Sequence, residues 1–309
     1  LIYSGIVLKA QSGFFTVRTE VGDIVCQVRG RLKKRRRSGD LVALGDVVTI
    51  SLQAKGRGMI ESIAPRRTAL ARRAPSGSGR GGRRAVERAR EQVIIANPDQ
   101  AVFVFACAQP EPHLRALDRF LVMAEASHLP ALICANKVDL VAREQAEALF
   151  GIYPPLGYPV IYTSVRTHVG LEELRARLHG KLSVLAGPSG VGKSSLLNAI
   201  QPGLGLQAKA VSQATQKGRH TTVYSELLPL EGGGYVADTP GMRALALWDV
   251  EPEELDGYFV ELKPLVAYCA FSDCTHLHEP GCAVRQAVAA GQIAASRYDS
   301  YCRLRRGED

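Results

Sequence analysis

Residues 187–194 read Gly187-Pro188-Ser189-Gly190-Val191-Gly192-Lys193-Ser194 and fill the pattern G-x-x-x-x-G-K-[ST] at every position. Glycines at these places let successive backbone N–H groups wrap phosphate oxygens, while the following helix points its N-terminus at them. Lys193 offers a point charge to the β- and γ-phosphates, and the Ser194 hydroxyl is placed to ligate Mg²⁺. Ser195 lies one residue into the helix and counts among the nucleotide contacts. A plain glycine-rich strand–helix turn could look similar. The strand-like "KLSVLA" before the loop and the helix-like "KSSLLNAI" after it favour the phosphate-binding reading.

A phosphate loop alone does not separate ATP from GTP. Asn136-Lys137-Val138-Asp139 does, provided it shares the pocket. A carboxylate accepts from guanine N1–H and N2–H₂ together, and adenine offers no such donor pair. Asn136 can bridge loops or meet the purine edge, and the Lys137 stem can lie along the base. Ser164, at the end of the next strand, can close over the base. Downstream, Asp238-Thr239-Pro240-Gly241 ends another apolar strand. There Asp238 would hold a Mg²⁺-bound water and the Gly241 N–H would meet the γ-phosphate. Thr221 or Thr222 completes the Mg²⁺ shell, with Thr222 preferred. The base reader thus precedes the phosphate loop, the reverse of the common GTPase order. A compact α/β domain with adjacent termini can be cut and rejoined elsewhere with its site intact, so the chain reads as circularly permuted.

A second cluster lies near the C-terminus. Cys269, Cys274, His276 and Cys282 stand as C-x₄-C-x-H-x₅-C, three thiolates and an imidazole within fourteen residues. That donor set suits a structural Cys₃His zinc site in a segment with little core of its own. His278 competes with His276 as the fourth ligand. Cys26, Cys107, Cys134 and Cys302 have no such neighbours in sequence and read as packing or surface residues.

These groups need a scaffold. Residues 1–70 carry several short β-rich runs with glycine turns and predict a small barrel, an OB-fold, for RNA binding. Residues 71–90 read as a basic flexible linker. Residues 91–245 alternate apolar strands with amphipathic helices, the pattern of a doubly wound α/β GTPase domain. Residues 246–309 read as a helical zinc-binding domain. Charge is uneven: residues 1–90 hold 20 Lys and Arg against 6 Asp and Glu, and residues 91–309 hold 19 against 24. The whole +9 excess therefore sits in the first third. Such asymmetry fits a polyanion-binding module. Lys33, Lys34, Arg35, Arg36 and Arg37 are consecutive and are the candidate RNA contacts, although a solvated loop would look the same. No run of eighteen apolar residues occurs, so no membrane-spanning helix is expected. The start, "LIYSGIVLKA", has neither signal-peptide features nor an initiator Met, so residues are expected to precede Leu1. The seven cysteines are unevenly spaced and suggest no disulfide framework, which fits a reducing cytoplasm.

The permuted order, a preceding basic barrel, "GRHTT", DTPG and the trailing Cys/His cluster together resemble the RsgA (YjeQ/EngC) family of small ribosomal subunit biogenesis GTPases over nearly the whole chain. The resemblance implies hydrolysis of GTP to GDP and phosphate, stimulated by the 30S subunit, in late 30S maturation with binding to 16S rRNA. It implies a cytoplasmic protein, expected here as a monomer, and it places the fourth zinc ligand at His276. Met242 follows DTPG where Ras-like proteins carry a water-orienting Gln, and the family likewise has a hydrophobic residue there. His220, in "GRHTT", is the nearest substitute and joins Lys193 as a catalytic candidate, although it could instead face solvent or RNA. The missing Gln also favours a rival reading, a non-catalytic RNA-binding module that holds GTP structurally.

Overall fold

A computed structural model of the chain describes residues 1–30, 42–53, 56–73, 91–204, 206, 226–238 and 250–308. The chain divides into two compact units. Residues 1–99, 178–185 and 214–249 form the first, and residues 100–177, 186–213 and 250–309 form the second.

The first unit opens with β1 (Ile2–Gln11), β2 (Phe14–Thr19), β3 (Gly22–Val28), β4 (Val47–Leu52) and β5 (Gly58–Ile63). They pair in the order β1-β2-β3-β5-β4, and β4 returns to β1. Only the β3–β5 pairing is parallel. This is the closed five-stranded barrel that the sequence predicts. Strand alternation accounts for it: Ile24, Cys26 and Val28 on β3 turn inward with Val17, Val48, Ile50 and Ile60, and all are buried. The tight β1–β2 turn uses Ser12 and Gly13, both at positive φ. Two strands then follow as an antiparallel pair, β6 (Ala69–Arg73) and β7 (Glu91–Ala96). The linker expected from residue 71 therefore begins inside a strand, and residues 74–90 lie outside the described residues.

In the second unit β8 (Gln100–Ala106), β9 (Ala131–Asn136) and β10 (Val160–Thr163) form a parallel sheet in the order β10-β9-β8. Every residue of β8 is buried, as a parallel strand covered on both faces requires. Helix α1 (Leu114–Ala126) follows β8 and buries Leu117, Phe120, Leu121 and Ala124. Its Phe120 ring stacks on Phe103 of β8 at 5.3 Å between centroids. Helix α2 (Arg143–Phe150) follows β9, and the Gln145 side chain accepts from the Ala142 N–H at its start. Helix α3 (Leu171–Leu178) follows β10.

The chain then enters β11 (Leu182–Ala186), which leads through the glycine loop into helix α4 (Lys193–Ile200) of the second unit. In the first unit β11 pairs in parallel with β13 (Tyr235–Asp238), and β13 pairs antiparallel with β12 (Glu226–Pro229). The remaining helices, α5 (Leu255–Tyr258), α6 (Ala283–Ala289) and α7 (Ala295–Arg306), pack within the second unit. Helix α7 stops at Gly307, whose left-handed φ of 70° lets the Glu308 N–H reach back to the Arg303 carbonyl at 2.9 Å.

Candidate functional site

Asn136 ends β9 at the C-terminal edge of the parallel sheet, where α/β folds place ligands, and is buried. Its Nδ2 donates to the Val191 carbonyl at 2.8 Å, and its Oδ1 accepts from Thr163 Oγ1 at 3.0 Å. Asn136, at the start of the N-K-x-D motif, and the glycine loop are thus stitched together across fifty-five residues of chain. Lys137 adds a second stitch. Its Nζ donates to the Gly190 carbonyl at 2.7 Å and also to the Gln109 carbonyl. Burial holds the Lys137 ammonium below its ordinary pKa, with Asp139 opposing the shift. Its backbone sits at φ 62°, a left-handed conformation that a lysine adopts only under constraint.

That turn delivers Val138 and Asp139 into a single 3₁₀ turn, Val138–Leu140. Ser164 donates from Oγ to Asp139 Oδ1 at 2.6 Å and accepts from the Thr167 N–H at 3.1 Å. The hydroxyl therefore fixes one carboxylate oxygen. Thr163 and Ser164 are both fully buried.

The phosphate loop depends on glycine at two points. A Cβ on Gly187 would lie 2.0 Å from the Val104 carbonyl oxygen, and one on Gly192 would lie 2.5 Å from Asn136 Nδ2. Both residues also have positive φ. A side chain at Gly192 would strike the stitch between the two motifs. Lys193 donates from Nζ to the Gly187 and Pro188 carbonyls at 2.8 and 2.7 Å, so its ammonium is held over the loop. Ser194 and Ser195 occupy the first turn of α4. The structure thus brings Asn136, Lys137, Val138, Asp139, Ser164 and residues 187–195 into one unit. Asp238 ends β13 opposite Leu185 of β11 in the first unit. His220, Thr221, Thr222 and the Thr239–Met242 stretch lie outside the described residues, as do Lys33 to Arg37.

Cys269, Cys274, His276 and Cys282 converge, with one donor atom from each lying within 4.8 Å of every other. His276 Nδ1 is 3.5 Å from Cys269 Sγ and 3.3 Å from Cys282 Sγ, and the two sulfurs are 4.0 Å apart. A tetrahedral zinc with ordinary Zn–S and Zn–N bonds needs ligand separations of roughly 3.5–3.8 Å. The donor set therefore fits that ion. His276 is fully buried, whereas His278 is exposed and outside the cluster. On its far side His276 Nε2 meets Asp256 Oδ2 at 3.3 Å, a carboxylate that sets ring orientation as outer partners of metal-binding histidines do. Helix α7 holds the loop: Tyr298 and Tyr301 donate to the His276 and Thr275 carbonyls at 2.6 and 2.9 Å. The remaining cysteines, Cys26, Cys107, Cys134 and Cys302, are buried packing residues.

One buried network gave no signal in the sequence. Arg297 of α7, only 1% exposed, donates to Asp118 of α1 at 2.7 Å and through two nitrogens to Glu261 at 2.6 and 3.0 Å. Tyr153 donates to the same Asp118 oxygen at 2.9 Å, and the guanidinium lies 4.6 Å from the Phe259 ring centroid. These partners are separated by up to 179 residues, so no local spacing announces them. The same holds for Asp256, twenty residues before its histidine.

Comparison with known proteins agrees with this arrangement. Residues 4–60 match the family model described as the RsgA N-terminal domain, and residues 63–248 match that of the RsgA GTPase. A small ribosomal subunit biogenesis GTPase RsgA from Gemmatimonas aurantiaca is 48% identical over 305 residues, 98% of this chain and 96% of the relative. Its counterpart from Moorella thermoacetica is 42% identical over 297 residues, 96% and 94% of the two chains. Among solved structures, YjeQ from Thermotoga maritima superposes with a TM-score of 0.80 at 37% identity, covering 100% of this chain and 99% of that one. YloQ, described as a circularly permuted GTPase, gives 0.74 at 33% identity, with 100% and 95% covered.

Proposed function

Because the chain belongs to the RsgA GTPase family, we propose that it hydrolyses GTP to GDP and phosphate with Mg²⁺ in the biogenesis of the small ribosomal subunit. The observation that carries the nucleotide assignment is the pair of stitches from Asn136 to Val191 and from Lys137 to Gly190. They tie the segment that carries Asp139 to the glycine loop despite their reversed order, which supports a shared pocket for base and phosphates.

In this reading Asp139 accepts from guanine N1–H and N2–H₂, with Ser164 holding the carboxylate in place. The loop N–H groups from Gly190 to Ser194 and the start of α4 face the phosphates, and Lys193 adds a positive charge. Ser194, Thr222 and Asp238 would hold Mg²⁺, which would supply positive charge to the phosphates. Gly241 meets the γ-phosphate, and His220 orients the attacking water in place of the Gln that Met242 replaces. Such a site turns over slowly by itself and is stimulated by a partner. The 30S subunit is that partner, and the protein acts late in its maturation.

The barrel and the run Lys33 to Arg37 grip 16S rRNA through its backbone. Cys269, Cys274, His276 and Cys282 would hold a structural zinc, which would tie together a segment poor in core. The protein works in the cytoplasm as a monomer. Among the described residues no helix is long and apolar enough to cross a membrane. Phosphate release measured with and without 30S subunits tests the assignment: stimulation is expected, and an unstimulated or absent reaction would return the chain to the class of GTP-holding RNA binders.

A further inference from the structure

The loop between Cys274 and Cys282 contains no helix or strand, so its backbone N–H groups must find partners elsewhere. One carboxylate serves three of them. Glu279 Oε1 accepts from the Thr275 N–H at 3.0 Å and from the Thr275 hydroxyl. Its Oε2 accepts from the N–H groups of Leu277 and His278 at 3.1 and 3.2 Å. The residues on both sides of His276 are therefore bound to a single anion.

His276 itself sits at φ 61°, in the left-handed region that a residue with a Cβ seldom enters. A left-handed residue in such a turn gathers neighbouring N–H groups into a concavity that suits an anion. Here the anion is built into the chain. Charge-assisted hydrogen bonds are roughly twice as strong as neutral ones, so these offset the cost of the strained turn. On the carbonyl side the Tyr298 and Tyr301 hydroxyls hold His276 and Thr275. The peptide that carries the imidazole is thus fixed through both its N–H and its C=O neighbours.

Glu279 is anchored in turn. Its own carbonyl accepts from Arg285 of α6 at 3.1 Å, and the following Pro280 restricts its backbone. Glu279 is not among the four converging donors. Its Oε2 lies 3.8 Å from Cys274 Sγ, so two effects on metal affinity oppose each other. A prearranged loop raises affinity because less ordering is left to the binding step. A carboxylate beside a thiolate lowers it. Four short hydrogen bonds against one contact at 3.8 Å make the first effect the larger.

We infer that Glu279 is the positioning residue of the metal loop: its carboxylate fills the concavity around His276 and fixes the imidazole among the three cysteines before an ion arrives. This rests on the zinc reading above and deepens it, since it names the group outside the ligand set that shapes the site.

The test uses the full chain, stripped of metal and titrated with zinc against a chromophoric chelator and, separately, with cobalt(II). Glu279→Ala should bind zinc about 10–100-fold more weakly, the usual loss for an outer partner of a metal site. Glu279→Gln keeps an acceptor oxygen and should fall between the two. In cobalt-loaded Glu279→Ala the visible ligand-field bands should shift, because His276 no longer holds its place. A residue that merely stabilised the fold would weaken binding and leave the spectrum of the loaded protein unchanged. An unshifted spectrum, or zinc bound as tightly by either variant as by the wild type, overturns the role. The wild type decides even if a variant misfolds: in its zinc-loaded form the Leu277 and His278 N–H groups should exchange slowly, although His278 is an exposed residue. Free exchange at both overturns the role as well. A wild type that takes up neither ion overturns the metal reading itself, and that result is separate from equal binding by wild type and variants.

Discussion

Arg297→Met is the perturbation whose cost can be worked most closely from the structure. Methionine keeps much of the side-chain length but removes the charge and three hydrogen bonds, one to Asp118 and two to Glu261. Both carboxylates remain buried, with side-chain exposures of 2% and 7%. Breaking a buried pair from one side costs about 3–5 kcal/mol, because it strands the other charge. Converted at 1.36 kcal/mol per tenfold, that lowers hydrogen-exchange protection of α1 and α7 by about two to nearly four orders of magnitude. The pH dependence gives a sharper signature. Burial already raises the Asp118 pKa, and Arg297 is the main influence pulling it down. Without Arg297 it rises further. A carboxyl with a raised native pKa binds more protons folded than unfolded, so its stability is retained at low pH and lost as pH rises through the native pKa. The deficit of the variant should therefore be smaller at pH 5 than at pH 8, after correction for intrinsic exchange rates. Unchanged protection in peptides spanning 114–126 and 295–306, or a deficit independent of pH, would refute the reasoning.

Other expectations concern the separate sites. Lys193→Ala and Ser194→Ala should each abolish hydrolysis in a phosphate-release assay, and normal turnover in both would remove the phosphate-loop assignment. Replacing Lys33 to Arg37 with Gln should weaken binding to 30S subunits and flatten its salt dependence while leaving GTP affinity of the free protein nearly unchanged; an unaltered slope would make the run a solvated loop. Cys274→Ser, or removal of metal by a chelator, should raise exchange near residues 265–285 and abolish stimulation by 30S subunits, with isolated GTP affinity largely kept. Full stimulation in protein shown to lack zinc would break that link.

The local motifs are readable because their chemistry is written in short runs. Gly187 to Ser194 needs its glycines where carbonyl and side-chain neighbours leave no room for a Cβ, and that demand is visible in eight residues. Strands β8 and β9 announce themselves by continuous apolar character, and the barrel by short alternating runs. What stays hidden depends on pairing between distant segments. The end of β6 reads as linker because a Gly/Ser/Arg-rich stretch follows it at once, and its partner β7 lies on the far side of that stretch. Spacing does not choose between His276 and His278, since both fall within reach of the cysteines; burial and the Asp256 hydrogen bond distinguish them. Arg297, one of many arginines in a basic chain, gives no hint that it is enclosed by two carboxylates and two aromatic rings.

The central claim is that Asp139 and the phosphate loop form one guanine-selective pocket in permuted order, and nucleotide selectivity of Asp139→Asn tests it most directly. On this claim the carboxylate accepts two hydrogen bonds from guanine, each worth about 1.5–3 kcal/mol when one partner is charged. Asparagine turns one acceptor into a donor and suits the xanthine edge, while an acceptor oxygen remains available to Ser164. The account predicts that GTP affinity falls by about 10²–10⁴-fold and that xanthosine triphosphate becomes the preferred substrate. Undiminished preference for GTP in the folded variant would contradict it.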